Sequence, residues 1–140
     1  MRRAQKYAVK CGGGVNHRIG LFDAYLIKEN HLAASGSIKA AVARGRELNP
    51  NHLLEVEVED LDQLQQAIDA KADRVLLDNF SIDELRQAVA LNDETIQLEA
   101  SGNITEESIL EIAETGVDFI SIGALTKGVQ PLDLSMRFDD

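Results

Sequence analysis

The sequence has 140 residues, a formal net charge of -10 and a pI near 4.7. That length suits one domain, and that acidity argues against a generic nucleic-acid surface or a patch for anionic membranes. A single cysteine, Cys11, excludes an internal disulfide framework, and no run is long and apolar enough to span a bilayer.

Hydrophobic residues make up 44% and aromatics 4%, with no Trp, so a core must be built from Ala, Val, Leu and Ile. The opening MRRAQKYAVK has basic residues but no apolar signal core behind them, and AQKYAV reads as the middle of a helix. A reducing cytoplasm is the expected compartment. Next comes CGGGVNHRIGL, residues 11–21, where a glycine run leads into His17 and Arg18. AYLIK (24–28) reads as a strand, and SIKAAVARGREL (37–48) as a helix capped by Ser35 or Ser37. LLEVEV (53–58) alternates strictly, as a strand does. LDQLQQAIDAKA (61–72) places Leu61, Leu64, Ile68 and Ala72 on one helical face. RVLLDN (74–79) is a buried-type strand, and SIDELRQAVAL (81–91) opens with the capping box Ser81 and Glu84. IQLEAS (96–101) is a strand. TEESILEIAETG (105–116) is a helix with Thr105 as its cap and Gly116 as its stop. DFISIGA (118–124) is the last strand, and PLDLSMRFDD (131–140) is a candidate edge piece.

The alternation of strand and helix predicts a parallel sheet with right-handed crossovers, either a (β/α) barrel or an open doubly wound sheet. Polar groups decide between them. Lys28, Glu57, Asp78 with Asn79, Ser101 with Gly102, and Gly123 each stand at or near the carboxyl end of a successive strand. Such a series describes the catalytic rim of a barrel, whereas an open sheet gathers its ligand groups at one switch point. Only about five strands are legible, against the eight strands and about 250 residues of a closed barrel. The expected fold is therefore a partial (β/α) barrel spanning 1–140, a fragment or truncated frame whose unpaired edges invite association.

In EVEVE, Glu55, Glu57 and Glu59 share one face, and a charge pointing into a barrel is tolerated only near a wet mouth, a metal or a cationic ligand. Asp78 at a strand end can hold ribose hydroxyls or a Mg²⁺ shared with phosphates; a loop-capping Asp is the plain alternative. Ser101, Gly102 and Asn103, followed by a helix start, resemble a phosphate cradle, and Gly123 with Ala124 supplies a second bare backbone. His17, Arg18 and Lys28 form a cation group suited to a small acidic molecule; singly, each is equally a solvated charge. Lys28 is also a candidate Schiff-base nucleophile of the aldolase kind. His31 and His52 have no partner pattern and are expected to be structural, and no His/Cys metal-ligand spacing is present.

KYAVKCGGGVNHRIGLFDAYLIKENH, EVEVE, LLDNF, LEASGNIT and ETGVDFISIGALTK together resemble quinolinate phosphoribosyltransferase, the carboxylating nicotinate-nucleotide pyrophosphorylase. GGGVNHR with LIKENH is the most specific part. The resemblance implies a pentosyltransferase step of de novo NAD synthesis: quinolinate and phosphoribosyl pyrophosphate, with Mg²⁺, give nicotinate mononucleotide, pyrophosphate and CO₂. It implies that His17, Arg18 and Lys28 bind the quinolinate carboxylates. Glu57 and Asp78 would face the ribose and its Mg²⁺, with Lys28, Glu57 and Asp78 as the catalytic set. Ser101, Gly102, Asn103, Gly123 and Ala124 would cradle the 5′-phosphate, with Glu99 nearby. Glycines 12–14 would let the backbone turn so that His17 and Arg18 enter the pocket. A homodimer or higher homo-oligomer is implied, with no nucleic-acid or membrane partner. The family's N-terminal sandwich domain and its early Thr-Arg-Lys-Thr strand have no counterpart in the sequence, so a weakened pocket is expected. A non-catalytic, self-associating fragment is the alternative reading.

Overall fold

The computed structural model describes residues 1–20, 22–128 and 131–138. Along the chain run α1 (Arg2–Cys11), β1 (Ala24–Ile27), α2 (Glu29–Ser35), α3 (Ile38–Leu48), β2 (Leu53–Val58) and α4 (Leu61–Asp69). They are followed by β3 (Arg74–Asp78), α5 (Ile82–Asn92), β4 (Gln97–Ser101), α6 (Ile109–Ala113), β5 (Phe119–Ile120) and α7 (Ala124–Lys127).

The five strands are all parallel and lie side by side in the order β1-β2-β3-β4-β5. An unreversed order is that of a barrel wall, since a doubly wound sheet changes direction part-way. Among the described residues β1 and β5 do not pair, so the sheet is an open arc of a (β/α) barrel.

Two strand starts are clamped the same way. The Asp73 amide donates to the Leu54 carbonyl at 3.0 Å while its Oδ2 accepts from the Leu54 amide at 2.7 Å. Asp118 repeats this on Leu98, again at 3.0 and 2.7 Å. An aspartate one residue ahead of each strand thus fixes register against its neighbour, which decides which side chains face the core.

One face of the sheet is apolar. Leu54, Val56, Val58, Val75, Leu77, Leu98 and Ala100 pack under Val42, Leu64, Ala67, Leu85, Ala88 and Ile112 of α3 to α6. Strand periodicity sends the alternate residues to the other face, which carries the charged and polar groups Lys28, Glu55, Glu57, Arg74, Glu99 and Ser121 among Leu26, Leu76 and Phe119. The core is therefore one layer of aliphatic side chains between sheet and helices, and the chemistry lies on the inner side of the arc.

Most caps form where the sequence puts them. Ser37 accepts from the Ala40 amide at 3.1 Å, and Ser81 and Glu84 make a reciprocal capping box. Four expectations need correction. Helix α2 has no counterpart in the sequence reading, because ENHLAAS is short and buries no residue. Thr105 does not cap a helix; its amide donates to Ser108 Oγ at 3.0 Å, residues 106–108 form turns, and α6 begins at Ile109. The last strand is shorter than 118–124, because it pairs on one side only and the chain turns into α7 with Gly123 as its N-cap. Residues 131–138 join no strand: Leu132, Leu134, Met136 and Phe138 are all exposed, so no burial rewards sheet pairing. The rest of that segment, 139–140, lies outside the described residues.

Candidate active site

The glycine run closes α1 and sends the chain back along it. The amides of Gly12 and Gly14 donate to the carbonyls of Ala8 and Val9, and Gly13 has φ +85°. A Cβ on Gly14 would meet Val9 Cγ1 at 2.9 Å and the Val9 carbonyl oxygen at 3.3 Å, so a side chain there would force Val9 to shift. Lys6 Nζ then donates to the His17 carbonyl, and Asn16 Nδ2 donates to the Lys6 carbonyl at 2.9 Å. The result is that His17 hangs over the inner face of the sheet.

There His17 Nε2 lies 2.8 Å from Glu55 Oε2 and 3.9 Å from Glu99 Oε1. Glu55 and Glu99 are only 1% and 3% exposed. Glu99 also contacts Arg74, at 3.3 Å, and accepts from Ser121 Oγ. Arg74 stacks on the Phe119 ring at 4.0 Å and donates to Gln97. The hydrogen bond to Glu55 raises the His17 pKa above its ordinary value, against the opposing effect of burial. Burial raises the Glu99 carboxyl above the usual carboxylate range, with Glu55 adding to the shift and Ser121 and His17 opposing it.

Nearer the carboxyl ends, Lys28 Nζ pairs with Glu57 Oε2. These residues stand directly across the β1–β2 ladder, one step beyond the Ile27–Val56 pair. The cation and the carboxylate read as two halves of a pocket are therefore partners. Lys28 also opens α2, its amide donating to His31 Nδ1 at 3.0 Å. His52 Nε2 meets the Phe22 carbonyl at 2.9 Å and its ring packs on Tyr25. His31 and His52 are thus structural, as expected.

Asp78, Asn79, Gly102 and Asn103 form one unit. Asn79 Nδ2 donates to Asp78 Oδ2 at 2.9 Å, and Asn79 Oδ1 accepts from Asn103 Nδ2 at 3.1 Å. The Asn79 amide donates to the Ser101 carbonyl at 2.9 Å. This unit borders a cleft of about 870 Å³ lined by Ser101, Gly102, Asn103, Gly123 and Ala124, together with His17 and Lys127. The two glycine-bearing strand ends thus meet across one opening, with two basic side chains at its wall. Arg18 is placed apart: its guanidinium reaches the Ala24 carbonyl at 3.5 Å, at the amino end of β1.

Residues 1–137 match the family described as "Quinolinate phosphoribosyl transferase, C-terminal domain". The chain belongs to this family. It is 46% identical over 137 residues to a probable carboxylating nicotinate-nucleotide pyrophosphorylase of Bacillus subtilis, covering 97% of the chain and 47% of that protein. The carboxylating nicotinate-nucleotide pyrophosphorylase of Mycobacterium leprae is 44% identical over 139 residues, covering 97% of the chain and 49% of that protein. Among solved structures, the nicotinate-nucleotide pyrophosphorylase of Francisella tularensis superposes with a TM-score of 0.89 at 59% identity, over 92% of this chain and 46% of that one. The chain spans about half the length of the curated relatives it matches. A plant relative, the mitochondrial decarboxylating quinolinate phosphoribosyltransferase 2b of Nicotiana tabacum, is 37% identical over 158 residues, covering 99% of the chain and 45% of that protein.

Three residues, Glu55 and Arg74 on the inner face and Lys127 on α7, were not singled out as site residues in the sequence. Glu55 shares the face of Glu57 by strict alternation, which was the available signal, but its depth was not legible. Arg74 opens the strand RVLLDN with no role assigned to it, and Lys127 lies beyond the last legible strand. Among the described residues, the His/Cys/Asp/Glu group whose ligand atoms all fall within 4.8 Å of one another is His17, Glu55 and Glu99; it does not include Glu57 or Asp78.

Proposed function

We propose that the chain supplies the barrel part of an enzyme that transfers phosphoribosyl from phosphoribosyl pyrophosphate to quinolinate with decarboxylation, giving nicotinate mononucleotide, pyrophosphate and CO₂. The observation that carries this reading is the shared cleft. His17 and Lys127 line the same opening as the bare strand ends around Gly102 and Gly123, so acid-binding and phosphate-binding groups adjoin. In this reading His17 and Lys28 receive the quinolinate carboxylates, and Arg18 joins them by leaving the Ala24 carbonyl that its guanidinium meets at 3.5 Å. Ser101, Gly102, Asn103, Gly123 and Ala124 receive the 5′-phosphate, with Lys127 as an added point charge. Glu57 and Asp78 face the ribose and oppose the positive charge that develops there. Lys28, held by Glu57, is delivered to the substrate already oriented.

Glu57 and Asp78 are oxygen donors on adjacent strands, and Mg²⁺ favours one or two carboxylates plus waters and substrate phosphates, so the donor chemistry fits. They would hold Mg²⁺, which when bound neutralises pyrophosphate charge. Action as a homodimer or higher homo-oligomer is part of the same reading. A location in the cytoplasm is part of the same reading; among the described residues no helix is long and apolar enough to cross a membrane.

Calorimetric titration with quinolinate, with nicotinate as control, tests the acid site. Tighter binding of the dicarboxylate, lost in Arg18→Ala, is expected. Phosphoribosyl pyrophosphate and Mg²⁺ are then added and CO₂ release is measured. Equal binding of quinolinate and nicotinate would sink the reading.

A further inference from the structure

His17 is held by a partner that no substrate role explains. Glu55 Oε2 meets Nε2 at 2.8 Å, and Glu55 Oε1 is buried without a hydrogen-bond partner among the described residues. Buried carboxylates demand compensation. The groups facing His17 are Glu55 of β2, Glu99 of β4, the neighbouring Arg18, and Lys6 of α1 at its carbonyl, with Arg74 of β3 on Glu99. Glu55 and Glu99 balance Arg74 and a charged His17 at the centre of this set, with Arg18 and Lys6 at its edge. A divalent ion among His17, Glu55 and Glu99 would instead leave it with excess positive charge beside Arg74.

We propose that Glu55 is the positioning residue of His17: it occupies Nε2 and holds the ring as an imidazolium, so that Nδ1–H is the donor offered to a quinolinate carboxylate. This rests on the substrate reading above. A neutral imidazole bonded through Nε2–H would present a bare Nδ1 lone pair to an anion, which repels it. A charged ring presents a second N–H, and charge-assisted donors are the strong ones for carboxylates. A buried carboxylate behind the ring, inaccessible to the substrate, supplies that charge state without competing for the ligand. The acceptor-histidine arrangement is the one by which outer-shell carboxylates fix histidine tautomers elsewhere.

The test has two arms on the full chain. Imidazole nitrogen NMR, with His17 assigned by His17→Asn, follows its titration in the parent, in Glu55→Gln and in Glu99→Gln. His17 is expected to lose its proton at a lower pH in Glu55→Gln than in the parent, with the smaller effect in Glu99→Gln, which makes no hydrogen bond to the ring. Unchanged His17 titration in a Glu55→Gln protein whose circular dichroism matches the parent overturns the proposal. In the second arm quinolinate affinity is measured against pH. At about pH 8, above the ordinary imidazole range, Glu55→Gln is expected to bind on the order of tenfold more weakly, with parity restored at about pH 5. A pH-independent deficit overturns the charge role and marks a merely structural one. Quinolinate failing to bind the parent at any pH overturns the substrate reading, and with it the role of Nδ1, while the NMR arm still judges the pairing.

Discussion

Asn79 Oδ1 lies 3.1 Å from Asn103 Nδ2, so the loops after β3 and β4 are tied to each other directly above the sheet. Gly102 makes that tie possible. It has φ +94°, and a Cβ there would stand 2.2 Å from Asn79 Oδ1 and 2.8 Å from the Asn79 backbone nitrogen. The side chain could swing away, but the backbone atom cannot, and an L-residue is strained at this φ in any case. Gly102→Ala is expected to cost about 1–3 kcal/mol of stability and to weaken inorganic phosphate binding at the cleft. Urea unfolding and a phosphate titration check the two effects; an alanine variant with parental stability would show the two loops to be loosely joined.

Glu99 is the hub of the inner face, and removing it strands Arg74. Breaking a buried ion pair from one side costs more than replacing both partners, because the remaining charge keeps its desolvation penalty. Arg74 retains Gln97 and the face of Phe119, which softens the loss. Glu99→Leu is therefore expected to destabilise by about 2–3 kcal/mol, and the double change with Arg74→Met to recover part of it. A double-mutant cycle in urea gives the coupling directly, and additive effects would mean that the pair contributes nothing.

The barrel arc was legible because its strands are short aliphatic runs and its rim residues recur at strand ends, a pattern that parity alone can read. Lys28, Glu57, Asp78, Ser101 and Gly123 were placed at or near carboxyl ends by counting, and all but Gly123 lie within a residue or two of a strand terminus. What could not be counted was contact across the sheet. The Lys28–Glu57 pair depends on the β1–β2 register, and that register depends on pairing between segments about 29 residues apart in sequence. The Glu55–His17 contact further needs the Gly12–Gly14 reversal of direction. Helix α2 escaped notice for a simpler reason: it is seven residues long, buries none of them fully and packs only Leu32 on the core, too little for a periodic pattern.

Stability should fall on both sides of a plateau in pH. On the alkaline side, Glu55 raises the His17 pKa, so the folded ring holds its proton more tightly than the unfolded one. That contribution is complete below the ordinary value of about 6.5 and is lost as pH rises through the folded value. Glu99, raised by burial, acts in the same direction, its contribution starting to fade from the ordinary carboxylate range upward. On the acid side, burial of Asp73 pushes its pKa up, but hydrogen bonds from Arg46 and the Leu54 amide outweigh this and leave it lowered. Its contribution is present above the ordinary value of about 3.9 and is lost as pH falls through the folded one. Urea midpoints across pH should therefore show His17→Asn flattening the alkaline limb and Asp73→Asn the acid limb. An unchanged alkaline limb in His17→Asn would remove His17 from this account.

Lys28 and Glu57 are paired across the β1–β2 ladder, and separate substitutions should reveal which substrate each serves. Lys28 is about two-fifths exposed and Glu57 much less so, hence the lysine is the partner free to meet a ligand. Lys28→Met keeps the aliphatic stem and removes the charge, so it should weaken quinolinate binding on the order of tenfold to a hundredfold, with little effect on nicotinate. Borohydride trapping of a carbonyl compound on Lys28 is expected to fail, because an ammonium held by Glu57 is a poor nucleophile. Glu57→Gln leaves Lys28 in place but unpaired. The lysine then keeps its charge but loses the orientation that Glu57 gives it, so quinolinate binding should fall by less than in Lys28→Met, while phosphoribosyl pyrophosphate binding in the presence of Mg²⁺ weakens. Calorimetry with each ligand separates the two roles. Equal loss of both ligands in both variants would mean that the pair acts only to hold the ends of β1 and β2 together.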